Sequence, residues 1–251
     1  MMLILKTDGT LEPLGLKWTG ESRFELLPPT RENKESVYAD GEIDFGTELE
    51  TGEMELHCVS DEGLTKAEIT ALKAALVGQL NSLRSYNMLI FESDSDKALY
   101  VRLARRPEIT DYPGWLEVAL ALKYKPFWVS ADEQNHVGSG TVANKGTVEA
   151  PLIVEVSGPV SNPVVFVGDE SLEYAGELND DDVLYIDTGK KTVKLNSDNA
   201  LGNYNGAFPL LAPGGTKVKY EAVPQTQSVD LGGVYDGKTN NAVFRWRHCW
   251  I

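Results

Sequence analysis

The chain has 251 residues, 42% hydrophobic and 24% charged, with 23 Lys+Arg against 38 Asp+Glu and a formal net charge of −15. That length accommodates one large domain or two modest ones, each able to fold without disulfide or metal staples. The acidic balance opposes nucleic-acid and anionic-membrane partners, which need a basic footprint, and no apolar run reaches the roughly 18 to 20 residues that span a bilayer.

The start, MMLILKTDG, is too short for a signal-peptide core. With only Cys58 and Cys249, far apart in sequence, no disulfide framework or Cys-x-x-Cys zinc motif arises. The expectation is a soluble protein made in a reducing compartment.

In chain order, Met54, Leu56 and Cys58 alternate with Glu53, Glu55 and His57, the pattern of a half-buried antiparallel strand. Thr65-Lys66-Ala67-Glu68 reads as a capping box. Behind it Ile69, Leu72, Leu76, Leu80 and Leu83 recur at three- and four-residue steps, which predicts one amphipathic helix over 65–84. Leu99, Val101 and Leu103 form a second alternating run, and Leu116, Val118, Leu120, Leu122 and Tyr124 a third. Lys125-Pro126 is expected to end the third strand, because proline removes a ladder donor.

Residues 130–149 hold polar clusters and glycines with almost no large apolar side chain, so a linker is expected there. Short strands follow at Leu152–Val156, Val164–Val167, Val183–Ile186, Thr192–Leu195, Phe208–Leu211, Lys217–Ala222 and Val243–Trp250, separated by turn signals such as Pro213-Gly214-Gly215. This spacing predicts a β-sandwich. The fold class is therefore mainly β with one helix: a sandwich or barrel-like domain over 1–130 with the helix packed on it, and a sandwich over 131–251.

Sites for chemistry are sparse. No Gly-x-Ser-x-Gly elbow accompanies His57, His136 or His248; His57 reads as a surface residue and His136 as part of the linker. Asn179-Asp180-Asp181-Asp182 with Asp187 has the oxygens calcium wants but not the EF-hand spacing, and reads as a solvated turn. Arg102, Arg105 and Arg106 make one dense basic patch, read as a solvated strand edge. In the last strand Phe244, Trp246, His248 and Trp250 share one face, which is either the core face of a sandwich strand or an aromatic platform for a sugar ring. No catalytic residue, cofactor or metal is expected.

The order of elements resembles the distal tail proteins of long-tailed, non-contractile phages. The resemblance rests on the strand around Glu53–Val59, the capped helix, Leu89-Ile90-Phe91-Glu92, Leu99–Leu103, and the ending Tyr124-Lys125-Pro126-Phe127-Trp128. In the second half it rests on Gly146–Gly158, Leu184-Tyr185-Ile186-Asp187, Phe208–Lys217 and Phe244–Trp250. The resemblance implies a galectin-like C-terminal sandwich and a non-enzymatic virion protein. It implies a homohexameric ring at the tail tip, a baseplate hub made in the bacterial host cytoplasm. The ring would join the major tail (tube) protein and tape-measure protein to the tail-associated lysin or fibre.

A ring needs a specific head-to-tail surface, and Tyr100, Arg102, Ala119 and Ala121, on the second faces of their strands, are candidates for it. The alternative is a carbohydrate-binding sandwich that uses Trp246, His248 and Trp250.

Overall fold

The computed structural model describes residues 2–7, 10–19, 29–35, 42–49, 51–223 and 242–251. They form two compact units, Met1–Ala131 and Asp132–Trp250.

The first unit contains β1 (Met2–Thr7), β2 (Thr10–Trp18), β3 (Pro29–Glu35), β4 (Glu42–Leu49) and β5 (Gly52–Val59). After α1 (Lys66–Ser82) come β6 (Asn87–Phe91), β7 (Lys97–Leu103), β8 (Glu108–Tyr112) and β9 (Trp115–Ser130). Among the described residues β3 and β4 pair with each other alone. The remaining strands run β9-β5-β2-β1-β6-β7, and β7 then pairs with β9 again, so the path closes on itself. β8 joins β9 alongside.

Closure depends on β9. Its residues Glu117–Tyr124 face β5, from Val59↔Glu117 to Gly52↔Tyr124. Its later residues face β7, from Leu103↔Leu122 to Lys97↔Ser130. The expected stop at Lys125-Pro126 does not occur. Between the Val101↔Tyr124 and Leu99↔Trp128 pairs, Lys125, Pro126 and Phe127 lie opposite Tyr100 alone. This bulge takes the proline out of the ladder, where its missing N–H would otherwise cost a hydrogen bond.

Alternation places Met54, Leu56, Cys58, Leu99, Val101, Val118, Leu120 and Leu122 in one core with Leu5, Leu14 and Leu16. α1 seals this core with Leu76, Leu80 and the following Leu83. Its start is fixed by the capping box: Thr65 Oγ1 accepts from the Glu68 N–H at 3.3 Å, and the Thr65 N–H donates to Glu68 Oε2 at 2.8 Å. The Thr65 N–H, together with the Thr65 hydroxyl donating to the same Oε2 at 2.7 Å, holds the Glu68 carboxyl below the usual range.

The second unit is a sandwich of two antiparallel sheets. Its strands are β10 (Gln134–Val137), β11 (Gly140–Asn144), β12 (Leu152–Ser157), β13 (Val160–Val167), β14 (Glu170–Tyr174), β15 (Glu177–Leu178), β16 (Val183–Asp187), β17 (Thr192–Leu195), β18 (Asp198–Asn199), β19 (Tyr204–Gly206), β20 (Gly214–Val223) and β21 (Ala242–Trp246); the two-residue β22 (Cys249–Trp250) follows and lies in neither sheet. One sheet runs β10-β21-β12-β16-β17-β18; the other runs β11-β20-β13-β14-β19, with β15 on β13. Leu152, Val154, Val156, Val165, Val167, Leu172, Ile186 and Phe244 are buried between them.

Two expectations are corrected here. The segment 130–149 is not a free linker, because β10 pairs with β21 and β11 with β20, one strand in each sheet. Its polarity misled because backbone pairing and Asn144, not large side chains, anchor it. Asn144 is 1% exposed; its Nδ2 donates to Val148 O (2.8 Å) and Leu211 O (3.0 Å), and its Oδ1 accepts from the Gly146 N–H (2.9 Å). Gly146 lies so close to the Cys249 carbonyl that a Cβ there would fall 1.9 Å from its oxygen. The second correction concerns Phe208–Leu211, which is no strand: Leu211 makes an isolated bridge to Ala150, and Phe208 stacks on Tyr204 at 4.9 Å.

Leu76→Ala should lower stability by about 2–5 kcal/mol, the range for a buried leucine truncated to alanine; a loss below about 0.5 kcal/mol in a denaturant titration would contradict the packing. Thr65→Ala should cost less, about 1 kcal/mol. Asn144→Leu should cost at least about 2 kcal/mol, because it strands two carbonyls and one N–H in the interior. An unchanged melting temperature for this variant would show that those groups find other partners.

Candidate assembly surface

The outer side of β5, β9 and β7 forms a continuous three-strand face. Register sets Ala119 beside His57, Ala121 beside Glu55, and Lys123 between Glu53 and Arg102. Tyr100 and Arg102 lie next to each other on β7, alternating with the buried Leu99 and Val101. The four candidate contact residues, Tyr100, Arg102, Ala119 and Ala121, are thus brought onto one surface. Ala119 is partly exposed and flanked on its other side by Glu108 of β8. Ala121 is 7% exposed, and its carbonyl accepts from the Ala104 N–H at 2.9 Å. The two alanines form a low floor between longer polar side chains.

The rim of that floor is charged and internally paired. Lys123 Nζ lies 3.1 Å from Glu53, and Arg105 lies 2.8 Å from Glu55. Such exposed pairs add at most about 1 kcal/mol each; their effect is to keep the face soluble while leaving its centre free of charge. His57 belongs to the same face, as its alternation with the buried Leu56 and Cys58 requires.

The β9 bulge adds residues that alternation alone did not single out. It swings Lys125 so that Nζ lies 5.1 Å from the Tyr100 ring centroid and 5.3 Å from that of Tyr86. The Arg102 guanidinium carbon lies 5.5 Å from the same Tyr86 ring. Two cations and two tyrosines therefore make a small ordered cluster at one end of the face, each contact contributing about 0.5–1 kcal/mol. The signal for it in the sequence was Pro126, read there only as a terminator.

The aromatic platform considered as the alternative is not open. β21 ends at Trp246, and Arg247-His248 interrupt the strand before Cys249. Phe244 is fully buried, Trp246 8% exposed and His248 7% exposed. Trp246 Nε1 donates to Ala143 O at 3.2 Å. His248 packs edge-on between Trp246 (6.4 Å) and Trp250 (5.9 Å), and its Nδ1 accepts from the Lys145 N–H at 3.1 Å. Trp246 and His248 are buried, so a sugar would find no exposed stacking face on them, whereas Trp250 is partly exposed. His136 sits in β10 opposite Phe244.

Other titratable groups serve structure. Burial pushes the Cys58 thiol up to about 12 and the Cys249 thiol up to about 11, so both stay protonated at neutral pH. Asp182 accepts from the Asn179 N–H (2.8 Å), Asn179 Nδ2 (2.9 Å) and Asn196 Nδ2 (2.8 Å), which locks the acidic turn. Asp187 accepts from the backbone and side chain of Lys190, both at 2.9 Å. Among the described residues no group of three or more His, Cys, Asp or Glu is placed to hold a metal.

Burial, aided by the Lys145 charge, lowers the His248 pKa. The unfolded chain then takes up a proton near pH 6.5 that the folded chain refuses, so this group's contribution is intact above that pH and declines as pH falls below it. In His248→Asn, that part of the acid destabilisation that sets in below about pH 6.5 should vanish. Parallel stability–pH curves for the two proteins would contradict it.

Comparison with known proteins agrees with this architecture. No curated protein sequence matches the chain. Residues 145–231 match the family model for the siphovirus-type tail component, C-terminal domain. Among solved structures, the crystal structure of SPP1 Dit (gp 19.1), described as a paradigm of the hub adsorption apparatus in phages infecting Gram-positive bacteria, aligns with a TM-score of 0.62 at 14% identity, covering 100% of both chains. A chain of the phage p2 baseplate in its activated conformation with Sr aligns with a TM-score of 0.54 at 10% identity, covering 98% of this chain and 97% of that one. The chain thus carries a segment that matches the siphovirus-type tail component family, and over its whole length it has the fold of these phage hub and baseplate proteins.

Proposed function

We propose that this chain is a structural, non-enzymatic protein of a phage or prophage tail tip. Six copies close into a ring, a baseplate hub that joins the tail tube to the tail-associated lysin or fibre and the adsorption apparatus. The observation that carries this reading is the shared fold along both units with hub and baseplate chains, together with the family match over 145–231. The tube protein, the tape-measure protein and the lysin or fibre are the partners it implies, with the virion as its location and the host cytoplasm as its place of synthesis.

The first unit supports the ring role by its outer face. A cyclic assembly repeats one head-to-tail contact, so each contact must be specific, at more than about 1,000 Å² buried in total. The Ala119–Ala121 floor, bordered by Tyr100, Arg102 and the Lys125 cluster, lets a neighbouring backbone approach closely. Among the described residues the two thiols are buried and protonated at neutral pH, and His248 is buried.

Light scattering coupled to size exclusion tests this on the full chain. The expected particle has about six times the 27.6 kDa chain mass, and a monomer at every concentration would overturn the ring. Ala119→Glu should give a folded monomer by circular dichroism and scattering, since an unpaired ion buried in each contact costs several kcal/mol. A folded, undiminished ring from this variant would remove Ala119 from the contact.

A further inference from the structure

Val77 of α1 is 63% exposed. It stands on the wall of a groove of about 1010 Å³ between the C-terminal half of α1 and the segment joining β7 to β8. The partly exposed Leu103 and Ile109 continue the apolar wall. Arg84, Arg105 and Arg106 supply the charge, against Glu108 as the one acid of the lining. The whole chain has only eight arginines, so three at one groove concentrate positive charge on an otherwise acidic molecule. Arg105 is engaged by Glu55 at 2.8 Å, whereas Arg84 and Arg106 are exposed and make no ion pair among the described residues.

The chemistry of the lining defines the ligand. Arginine presents a planar fork that pairs a carboxylate through two parallel N–H···O bonds. Apolar side chains beside such forks suit a ligand that is aliphatic in its middle and anionic at its edges. The rest of the molecule narrows the class further. At a net charge of −15 the chain repels an extended polyanion, such as a nucleic acid or an anionic bilayer. Salt screens that repulsion over about 10 Å, and only within this distance do the arginines dominate. A short acidic segment is therefore admitted where a long polyanion is turned away.

The size agrees. The lining runs along α1 from Val77 and past the helix end to Arg84, roughly 10 Å at helical rise. Its volume lies at the upper end of the roughly 300–1,000 Å³ typical of ligand sites, room for several residues of a peptide rather than one side chain.

We propose that the groove between α1 and the β7–β8 connection is a docking site for a short acidic segment of another polypeptide, one that carries an aliphatic side chain between carboxylates. Arg84 and Arg106 pair the carboxylates, and the aliphatic side chain seats against Val77, Leu103 and Ile109. The ring contact draws on the face of β5, β9 and β7, so this docking contact is a separate one and does not depend on the ring being formed.

Fluorescence anisotropy on the full chain tests this with a labelled peptide in which two leucines are flanked on each side by a pair of glutamates, and with its lysine-flanked counterpart. The glutamate peptide should bind, more weakly as salt rises, and the lysine peptide should not. Arg84→Glu/Arg106→Glu and Val77→Asp should each weaken binding at least about tenfold, with circular dichroism unchanged. Should the charge reversal disturb the fold, Arg84→Gln/Arg106→Gln carries the same test. A glutamate peptide that fails to bind, binds no better than the lysine peptide, or binds the variants as tightly as the native chain overturns the docking site. Light scattering on the same variants covers the other occupant: a lowered oligomeric state would make the groove a contact between copies and overturn the proposal. Weakened peptide binding with an unchanged oligomeric state supports it, whether the native chain is a ring or a monomer.

Discussion

The fold of the first unit depends on one strand having two partners in succession. β9 hydrogen-bonds to β5 over its first half and to β7 over its second, with only Leu122–Tyr124 flanked by both. Without that overlap the strands would form an open sheet with unpaired edges, a template for uncontrolled association. With it the edges are consumed, and the apolar faces converge on one interior that α1 seals with Leu76, Leu80 and Leu83. The bulge at Lys125–Phe127 is the local adjustment that lets β9 change partners.

That same adjustment links fold to surface. A strand pairing on both sides must alternate strictly, so its outward residues form a regular row; here the row is Ala119, Ala121, Lys123. The bulge then breaks the row and turns Lys125 toward Tyr86 and Tyr100. The alanine floor ends in a cationic and aromatic corner, the contrast that the proposed directional contact would use.

Much of this was legible in the residues. The helix was readable because its cap and its stripe agree, Thr65 and Glu68 locally and Leu72 to Leu83 by period. β5, β7 and β9 were readable because a face packed on a core imposes period two. Three features were not. Pro126 carries a strand-breaking signal in every local context, and only the partner exchange of β9 makes it tolerable. Residues 134–144 look like a connection because their anchorage is backbone pairing and the bonds of Asn144, neither of which shows in hydrophobicity. The aromatic strand was ambiguous because a core face and a stacking face have the same spacing; burial of Phe244, Trp246 and His248 decides between them. The proposed contact surface was half legible: the alanines at 119 and 121 suggest it in the sequence, whereas Tyr86 and Lys125 come from separate elements that converge only in three dimensions.

Closure through β9 has a consequence for how the protein is made. On the ribosome, β1, β2, β5, β6 and β7 emerge before the strand that joins their two ends, so the nascent chain carries two incomplete edges until residue 130 is clear of the exit tunnel. The pairing between β5 and β9 spans about half of the first unit in sequence and is of the non-local kind that closes late. Chains released early, before β9 is translated, would expose β5 and β7 as two unpaired edges with an unclosed interior, a species prone to aggregate or be degraded. Expression yield is therefore expected to depend steeply on whether β9 is present, and only weakly on the sequences that follow it.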